Sequence, residues 1–295
     1  MDKNNIINNV YKDKSGFSSV QKTYQEANTK DSTITLQNVR DWFAKNVERK
    51  KQLKGYNSFI NDGAQEEYQV DLAFFKAKDK IEIGLVMIDI FSKYAVVIPI
   101  ASKETPDVIA GMMEGFQKMG GKPKCIYSDN EGALGSSLFD EFCESHKVKL
   151  ITTRTHAWVA ERFIRTLKDM INKRLENTEK TWKDVLFEVL LTYNNKDVHT
   201  ATGLTPDQAK LDKYMLQVKM NLELHRISKR RYPTIDVDDK VKLYKKKGRF
   251  DKENTSVWLP QTHTIALITE SMGQKFYHIT GHKKPFLRHE ILKVG

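Results

Sequence analysis

The order of strand-like and helix-like segments between residues 68 and 175 constrains the fold more than any other feature of this sequence. Three β-rich runs come first, separated by polar turns: YQVDLAFF, IEIGLVMIDIF and YAVVIPIA. A helical pattern starting at Pro106, the short strand CIYSD, a second helix, the strand KLITT and a long amphipathic helix follow. This order predicts an α/β fold in which a mixed sheet carries helices on its faces.

Composition excludes several classes of protein. A hydrophobic content of 39% with 29% charged residues is typical of a soluble globular chain. The longest apolar run, IGLVMIDIF, is interrupted by Asp89 and is too short to span a membrane. The first residues, MDKNNIINNV, lack the apolar segment of a signal peptide, and two cysteines do not make a disulfide scaffold. We therefore expect a protein that is not secreted and that works in a reducing compartment.

The net charge of +11 is concentrated at the two ends of the chain. Residues 1–60 contain 11 basic and 6 acidic residues, residues 61–220 contain 22 and 24, and residues 221–295 contain 16 and 8. A near-neutral centre between basic ends is typical of an enzyme that acts on nucleic acid. A basic surface that serves only solubility fits the same numbers equally well.

The ends of the chain predict two additional modules. Helical patterns in FSSVQKTYQEANTK and TITLQNVRDWFAKNV predict a helical N-terminal module over residues 1–60, which either contacts DNA or is a packing appendage. Residues 234–295 read as a basic β-barrel of about five short strands. The densest basic cluster of this barrel is a candidate DNA-binding surface, although such runs are often only solvated; it comprises Lys245, Lys246, Lys247 and Arg249.

Three carboxylates in the central residues 61–220 are candidates for a metal site. Asp71 interrupts a β-rich run, Asp129 ends the strand CIYSD, and Glu161 lies in the first turns of the long helix. Taken one at a time, each of them also reads as a turn residue, a cap or a surface residue. If the fold brings them together, their mutual repulsion favours a bound cation, and hard oxygen ligands favour Mg²⁺ or Mn²⁺ over Zn²⁺.

Four stretches in this region resemble the catalytic core of retroviral-type integrases: YQVDLAFF, LVMIDIFSKYAVVIPI, YSDNEGAL and WVAERFIRTLKDM. The segment TYNNKDVHTATGLTPDQA and the basic tail, with DDKVKLYKKKGRF and FLRHEIL, also resemble integrase regions. The nearest resemblance is to integrases of Maverick/Polinton self-synthesising DNA transposons and of virophages. The resemblance implies a ribonuclease-H-like five-stranded sheet with flanking helices and a C-terminal SH3-like barrel.

The resemblance also implies a catalytic and metal-binding triad, an activity and a set of partners. The triad would be Asp71, Asp129 and Glu161, which would hold a pair of Mg²⁺ or Mn²⁺ ions. Arg165 and Lys168 lie on the same helix face as Glu161 and would contact DNA.

The implied activity is a DDE-type integrase that trims 3′ ends of a mobile or viral DNA and joins them to target DNA. Such an enzyme would bind double-stranded DNA, assemble on it as a dimer or tetramer, need no membrane, and act in a host nucleus or at a site of viral replication. Two alternatives stay open, a nuclease that does not join and a domesticated DNA-binding protein.

The sequence departs from retroviral integrases in two places. Between Asp129 and Glu161 there are 31 residues, a few fewer than in the retroviral members, which predicts a shorter loop. Retroviral integrases begin with a zinc-binding His/Cys module, whereas the first histidine here is His146 and the only cysteines, Cys125 and Cys143, fall in the core. We therefore predict no zinc site in the N-terminal module. Asp89, His199 and both cysteines are expected to be structural.

Overall fold

The computed structural model describes residues 2–13, 19–46, 59–77, 80–129, 132–153, 157–227, 232–245, 256–271 and 274–294. By compactness the chain divides into two units, Met1–Lys54 and Gly55–Gly295. The three-part division into residues 1–60, 61–220 and 234–295 stays a prediction. No helix in the described ranges is long and apolar enough to cross a membrane.

The described residues of the first unit form three short helices: α1 (Lys3–Lys12), α2 (Val20–Lys30) and α3 (Leu36–Asn46). The sequence pattern predicted α2 and α3 and missed α1. Asp2 and Ser19 cap α1 and α2 by accepting hydrogen bonds from backbone N–H groups of the first turn. The helices enclose a small apolar core, in which the ring of Tyr11 packs edge-on against Trp42 and Phe43. The basic residues that follow α3, at 49–51 and 54, lie outside the described ranges.

The second unit contains a five-stranded sheet of mixed direction. Its strands are β1 (Glu67–Ala77), β2 (Lys80–Asp89), β3 (Ala95–Ile100), β4 (Cys125–Asp129) and β5 (Lys149–Thr153). Their order across the sheet is β3-β2-β1-β4-β5. The first three strands are antiparallel neighbours, whereas β4 runs parallel to both β1 and β5. The predicted ribonuclease-H-like α/β architecture is confirmed.

Helices cover both faces of this sheet. Successive side chains along each strand point to opposite faces, so each face contributes apolar side chains to a separate core. The helices of the second unit are α4 (Thr105–Met119), α5 (Ser137–Ser145), α6 (Trp158–Leu175), α7 (Trp182–Leu191), α8 (Pro206–Ala209) and α9 (Met215–Leu224). Tyr68 and Val70 of β1 face the core formed with α4 and α5. Ala73 and Phe75 face the opposite core, formed with α6 and α7. Asp71 has the parity of this second set, so its side chain belongs to the α6 face.

The C-terminal residues form a second, antiparallel sheet. It consists of β6 (Lys240–Tyr244), β7 (Trp258–Ser271), β8 (Gln274–Ile279) and β9 (Ile291–Lys293), in the order β8-β7-β6-β9. Irregular register within the long β7 and beside β6 lets the sheet curve around its own apolar core. A half-barrel of this kind fits the predicted SH3-like domain. The sequence predicted about five strands, and the described residues contain four.

The half-barrel packs against β5, the edge strand of the larger sheet. Phe276 and Leu287 share an apolar cluster with Cys125 and Ile151. Glu290 is fully buried at this contact; its carboxylate accepts a hydrogen bond from the Thr153 hydroxyl at 3.0 Å and one from the Leu287 N–H at 2.9 Å. The edge strand is thus covered where it would otherwise offer unpaired backbone groups.

Replacing Glu290 with alanine should loosen this contact. The change leaves the Leu287 N–H and the Thr153 hydroxyl without this acceptor in a buried place, which costs about 1–3 kcal/mol. We expect a lower free energy of unfolding and faster amide hydrogen exchange in β5 and β8. Glu270→Ala is the control, because Glu270 is exposed on β7. Equal exchange in the two variants would show that Glu290 does not hold the half-barrel in place.

Candidate active site

Asp71 and Asp129 lie side by side on neighbouring parallel strands. The register pairs Val70 of β1 with Ser128 of β4, so the next residue on each strand is one of the two aspartates. Neighbouring strands run about 4.8 Å apart. Both side chains are half-buried. The Asp71 carboxylate accepts a hydrogen bond from the N–H of Leu72 at 2.7 Å.

The N-terminal end of α6 lies over the same face of the sheet. Gln69 is two residues before Asp71 on β1, and its side-chain oxygen accepts hydrogen bonds from the N–H groups of Val159 at 2.9 Å and of Ala160 at 3.2 Å. Residues two apart on a strand share a face. Glu161 is the next residue of α6, in its first turn, and its side chain is exposed.

The structure therefore brings the backbone positions of the three predicted site residues into one region. Among the residues it describes, however, no three acidic, histidine or cysteine side chains form a group that could hold a metal ion. The assignment of Asp71, Asp129 and Glu161 as a catalytic and metal-binding triad thus remains a prediction. The backbone arrangement favours it, since the middle of β1, the end of the neighbouring β4 and the first turn of α6 supply one acid each.

The predicted DNA-contacting residues of α6 follow Glu161 along the helix. Arg165 is exposed one turn later, and Lys168 is half-buried, with its ammonium nitrogen 5.9 Å from the centre of the Phe75 ring on β1. The opposite side of α6 is buried against the sheet through Ala160, Phe163 and Leu167. Glu161 and Arg165 are thus exposed, whereas the side chain of Lys168 lies beside the sheet.

The basic cluster of the half-barrel is only partly within the described ranges. Lys245 is exposed and immediately follows β6, and its backbone N–H donates to the carbonyl of Val257 at 2.6 Å. Lys246, Lys247 and Arg249 lie outside the described residues. Their assignment to DNA binding stays a prediction.

A buried group of charged side chains lies near the start of β1. Glu67 is 5% exposed, and burial together with the negative charge of Asp89 raises the pKa of its carboxyl to about 7. Burial also raises the pKa of Asp89, although its carboxylate accepts hydrogen bonds from the N–H groups of Phe91 at 3.3 Å and Ser92 at 3.2 Å. Desolvation lowers the pKa of Lys93 to about 8, and the two acids partly offset this. Asp89 thus fits the structural role that the sequence predicted.

The remaining residues singled out in the sequence fit structural roles too. Cys125 and Cys143 are buried, and burial raises the pKa of the Cys143 thiol to about 12 and that of Cys125 further, so neither is a ready nucleophile. Desolvation lowers the pKa of His199 to about 4, which keeps its imidazole neutral at ordinary pH.

Gln69 is the residue of the site that the sequence analysis missed. Its signal is weak, because a glutamine in a strand is ordinarily a surface residue. The stretch THAWVAERFIRTLKDM, residues 155–170, reads in the sequence as one helix. The helix begins instead at Trp158, with Ala157 at the N-cap position, and Thr155 lies outside the described residues.

Residues 62–157 match the family model of the integrase core domain. The match contains Asp71 and Asp129 and ends four positions before Glu161. It covers the five strands with α4 and α5, and supports a polynucleotidyl transferase family for this part of the chain.

Two transposon proteins are also similar to this chain. A transposon-derived protein of Caenorhabditis elegans is 27% identical over 191 residues, which is 64% of this chain and 64% of that protein. The retrovirus-related Pol polyprotein from transposon 297 of Drosophila melanogaster is 30% identical over 149 residues, 49% of this chain and 13% of the polyprotein. The chain therefore spans less than two thirds of the length of either relative.

The fold has a close counterpart in a chain of the simian T-cell lymphotropic virus intasome, solved by cryo-electron microscopy in complex with the PP2A regulatory subunit B56 gamma. The TM-score is 0.64 at 16% sequence identity, and the likeness covers 94% of this chain and 99% of that chain. At this identity the likeness concerns the fold alone. The family match and the relatives, over part of the chain, support a likeness to retroviral-type integrases and transposon proteins.

Proposed function

We propose that this protein is a DDE-type integrase that trims the 3′ ends of a mobile or viral DNA and joins them to target DNA. The observation that carries the proposal is the register of β1 and β4, which sets Asp71 beside Asp129 within a matched integrase core, under the helix end that bears Glu161. In the trimming step water attacks a phosphodiester near the 3′ end and its P–O3′ bond breaks, which frees a 3′-hydroxyl on the element and releases the terminal nucleotides with a 5′-phosphate. In the joining step that 3′-hydroxyl attacks a phosphodiester of the target duplex, whose P–O3′ bond breaks and leaves a 3′-hydroxyl on the target strand.

Magnesium or manganese is the cofactor that the donor set fits. Carboxylate oxygens on two strands and a helix are hard ligands of the type that Mg²⁺ and Mn²⁺ prefer. A pair of such ions would stabilise negative charge on the attacking and leaving oxygens. Asp71, Asp129 and Glu161 would hold the ions.

The basic residues would hold the DNA while the acids serve the reaction. Arg165 and Lys168 follow Glu161 on α6, so a DNA end that reaches the acids also passes these cations. Two aligned DNA ends require more than one protomer, so we propose a dimer or tetramer assembled on DNA. The reaction would take place in a host nucleus or at a site of viral replication.

A strand-transfer assay separates joining from mere cutting. The full chain is incubated with Mg²⁺, a supercoiled target plasmid and a duplex that already carries a recessed 3′ end. Joined products that migrate with the plasmid support the integrase. Cutting without joining would favour the ribonuclease-H-like nuclease, and DNA binding without either reaction would favour the domesticated protein.

The kinship to Maverick/Polinton and virophage integrases is part of the proposal. It rests on the AERF and RTLK stretches of α6. The terminal repeats flanking the gene test it, because the duplex built from them should be trimmed and joined in preference to unrelated ends. Equal use of all ends would leave the kinship without support.

Removing the basic cluster of the half-barrel should weaken DNA binding without regard to sequence. In the triple alanine variant of Lys245, Lys246 and Lys247, we expect lower affinity for every duplex. The slope of log affinity against log salt should fall by up to about 0.9 for each phosphate that the variant no longer neutralises. Fluorescence anisotropy at several salt concentrations measures both quantities. Alanine at the exposed Lys103, Lys118 and Lys122 is the charge-matched control. An unchanged slope in the first variant would place the half-barrel away from the DNA.

A further inference from the structure

At the end of α6 that carries Glu161, no N-cap side chain among the described residues hydrogen-bonds to the helix. The first N–H groups of a helix have no partner within the helix and need an acceptor. An N-cap side chain ordinarily supplies it, by accepting from the second or third helical residue. Here the N-cap residue is Ala157, which has no side-chain oxygen. The second and third residues are Val159 and Ala160, and both of their N–H groups donate to Gln69 of β1.

The acceptor that replaces the cap comes from the strand of Asp71. Gln69 and the α6 residues are separated by 90 positions in the sequence, and Gln69 is only 8% exposed. Its side chain reaches from the sheet to the helix on the same face of the sheet as Asp71. The contact therefore fixes the height and rotation of the first turn of α6 relative to β1.

We propose that Gln69 is a positioning residue, which ties the helix turn of Glu161 to the strand of Asp71 and so sets where Glu161 can reach a metal ion bound by Asp71. The inference rests on the proposed function, since it assumes that these two acids serve one site. A ligand to a metal acts well only when the groups behind it fix its orientation, and loss of such support typically costs about 10- to 100-fold in metal affinity. Gln69 provides that support through the backbone of α6.

The alternative is that Gln69 merely caps the helix, and a second substitution distinguishes the two roles. Ala157→Ser places a hydroxyl at the N-cap position, where it accepts from the same two N–H groups. A local cap of this kind satisfies α6 but does not tie it to β1. If capping were the whole role of Gln69, the serine would restore everything that loss of Gln69 removes.

The test uses the full chain with four substitutions: Gln69→Met, Gln69→Glu, Ala157→Ser, and Gln69→Met combined with Ala157→Ser. Methionine keeps the approximate size of the side chain and removes the acceptor, whereas glutamate keeps an acceptor of the same length. Mn²⁺ binding is followed by electron paramagnetic resonance without DNA, and strand transfer is measured in parallel. Hydrogen exchange of the Val159 and Ala160 amides reports whether the helix end is capped.

We expect Gln69→Met to weaken Mn²⁺ binding about 10- to 100-fold and to reduce strand transfer similarly. Gln69→Glu should bind Mn²⁺ at least as well as the wild type. In the double variant the serine should slow amide exchange again, while Mn²⁺ affinity stays low. Full recovery of affinity in the double variant, or equal loss in the methionine and glutamate variants, would overturn the proposal. If the serine fails to slow exchange, the comparison of methionine with glutamate decides alone.

Wild type and Asp71→Asn are measured beside these variants, so that a failure of the proposed function is recognised separately. Wild-type Mn²⁺ binding that does not depend on Asp71 would refute the triad itself. Mn²⁺ binding that depends on Asp71 but is indifferent to the loss of Gln69 would refute only the positioning role.

Discussion

Replacing Asp129 with asparagine should reduce Mg²⁺-dependent nicking and joining by on the order of 10³-fold or more, while DNA binding stays near that of the wild type. Asparagine has nearly the same shape, so the pairing of β4 with β1 and β5 is kept. The substitution removes one of the two negative charges that lie side by side on β1 and β4 and would attract the cation. Loss of a single group that stabilises charge in a transition state costs about 10²–10³-fold, and a metal ligand serves two such oxygens. Phosphate contacts come from lysine and arginine, so binding is spared.

The assays for Asp129→Asn are nicking of a duplex that carries the element end, and joining of a pre-trimmed end to a plasmid. Asp212→Asn is the matched control, because Asp212 is an exposed aspartate of the same unit, after α8. The control should nick and join like the wild type. Unchanged nicking by Asp129→Asn would refute its place in the triad, and weakened DNA binding would make the loss of activity ambiguous unless saturating DNA restores it.

Local sequence patterns predicted the parts of the site that depend on one strand or one helix. Val70 and Leu72 flank Asp71 in the sequence, and they point to the face opposite it, because the side-chain period of a strand is two residues. The position of Asp129 at the end of β4 followed from a short apolar run that stops at a polar turn. Outside the site, the segment Thr205–Gln208 has the sequence pattern of a capping box, and both of its hydrogen bonds form at the start of α8.

Contacts between distant elements could not be predicted in this way. The hydrogen bonds from the first turn of α6 to Gln69 join residues about 90 positions apart, and the contact of Thr153 with Glu290 spans 137 positions. Neither contact produces a periodic pattern in the sequence, since each depends on how whole helices and strands pack together. The burial of Glu67 is of the same kind: an acid at the start of a strand reads as a solvated residue until the neighbouring loop covers it. The functional part of the site therefore lies partly in contacts that no single segment specifies.

The buried position of Glu67 makes the stability of the protein depend on pH. The ordinary pKa of the carboxyl is 4.5, and in the folded protein the pKa is raised to about 7. Below pH 4.5 the acid is protonated in both the folded and the unfolded chain, so burial costs least there. As the pH rises towards 7, the unfolded chain releases this proton and the folded chain retains it, so the free energy of unfolding falls. Above pH 7 the full penalty applies, which is about 3 kcal/mol at about 1.36 kcal/mol per pH unit.

Glu67→Gln should remove this penalty and stabilise the protein by up to about 3 kcal/mol at about pH 8, with little effect at about pH 4. Glutamine resembles the protonated acid, so it keeps the uncharged form that burial favours. Lys93 loses one negative neighbour but retains Asp89, which limits the gain without reversing it. Urea unfolding of both proteins at pH 4, 6 and 8 measures the difference, with Glu179→Gln at an exposed position as the control. A variant less stable than the wild type at pH 8 would show that Glu67 is held ionised as a partner of Lys93, contrary to the raised pKa.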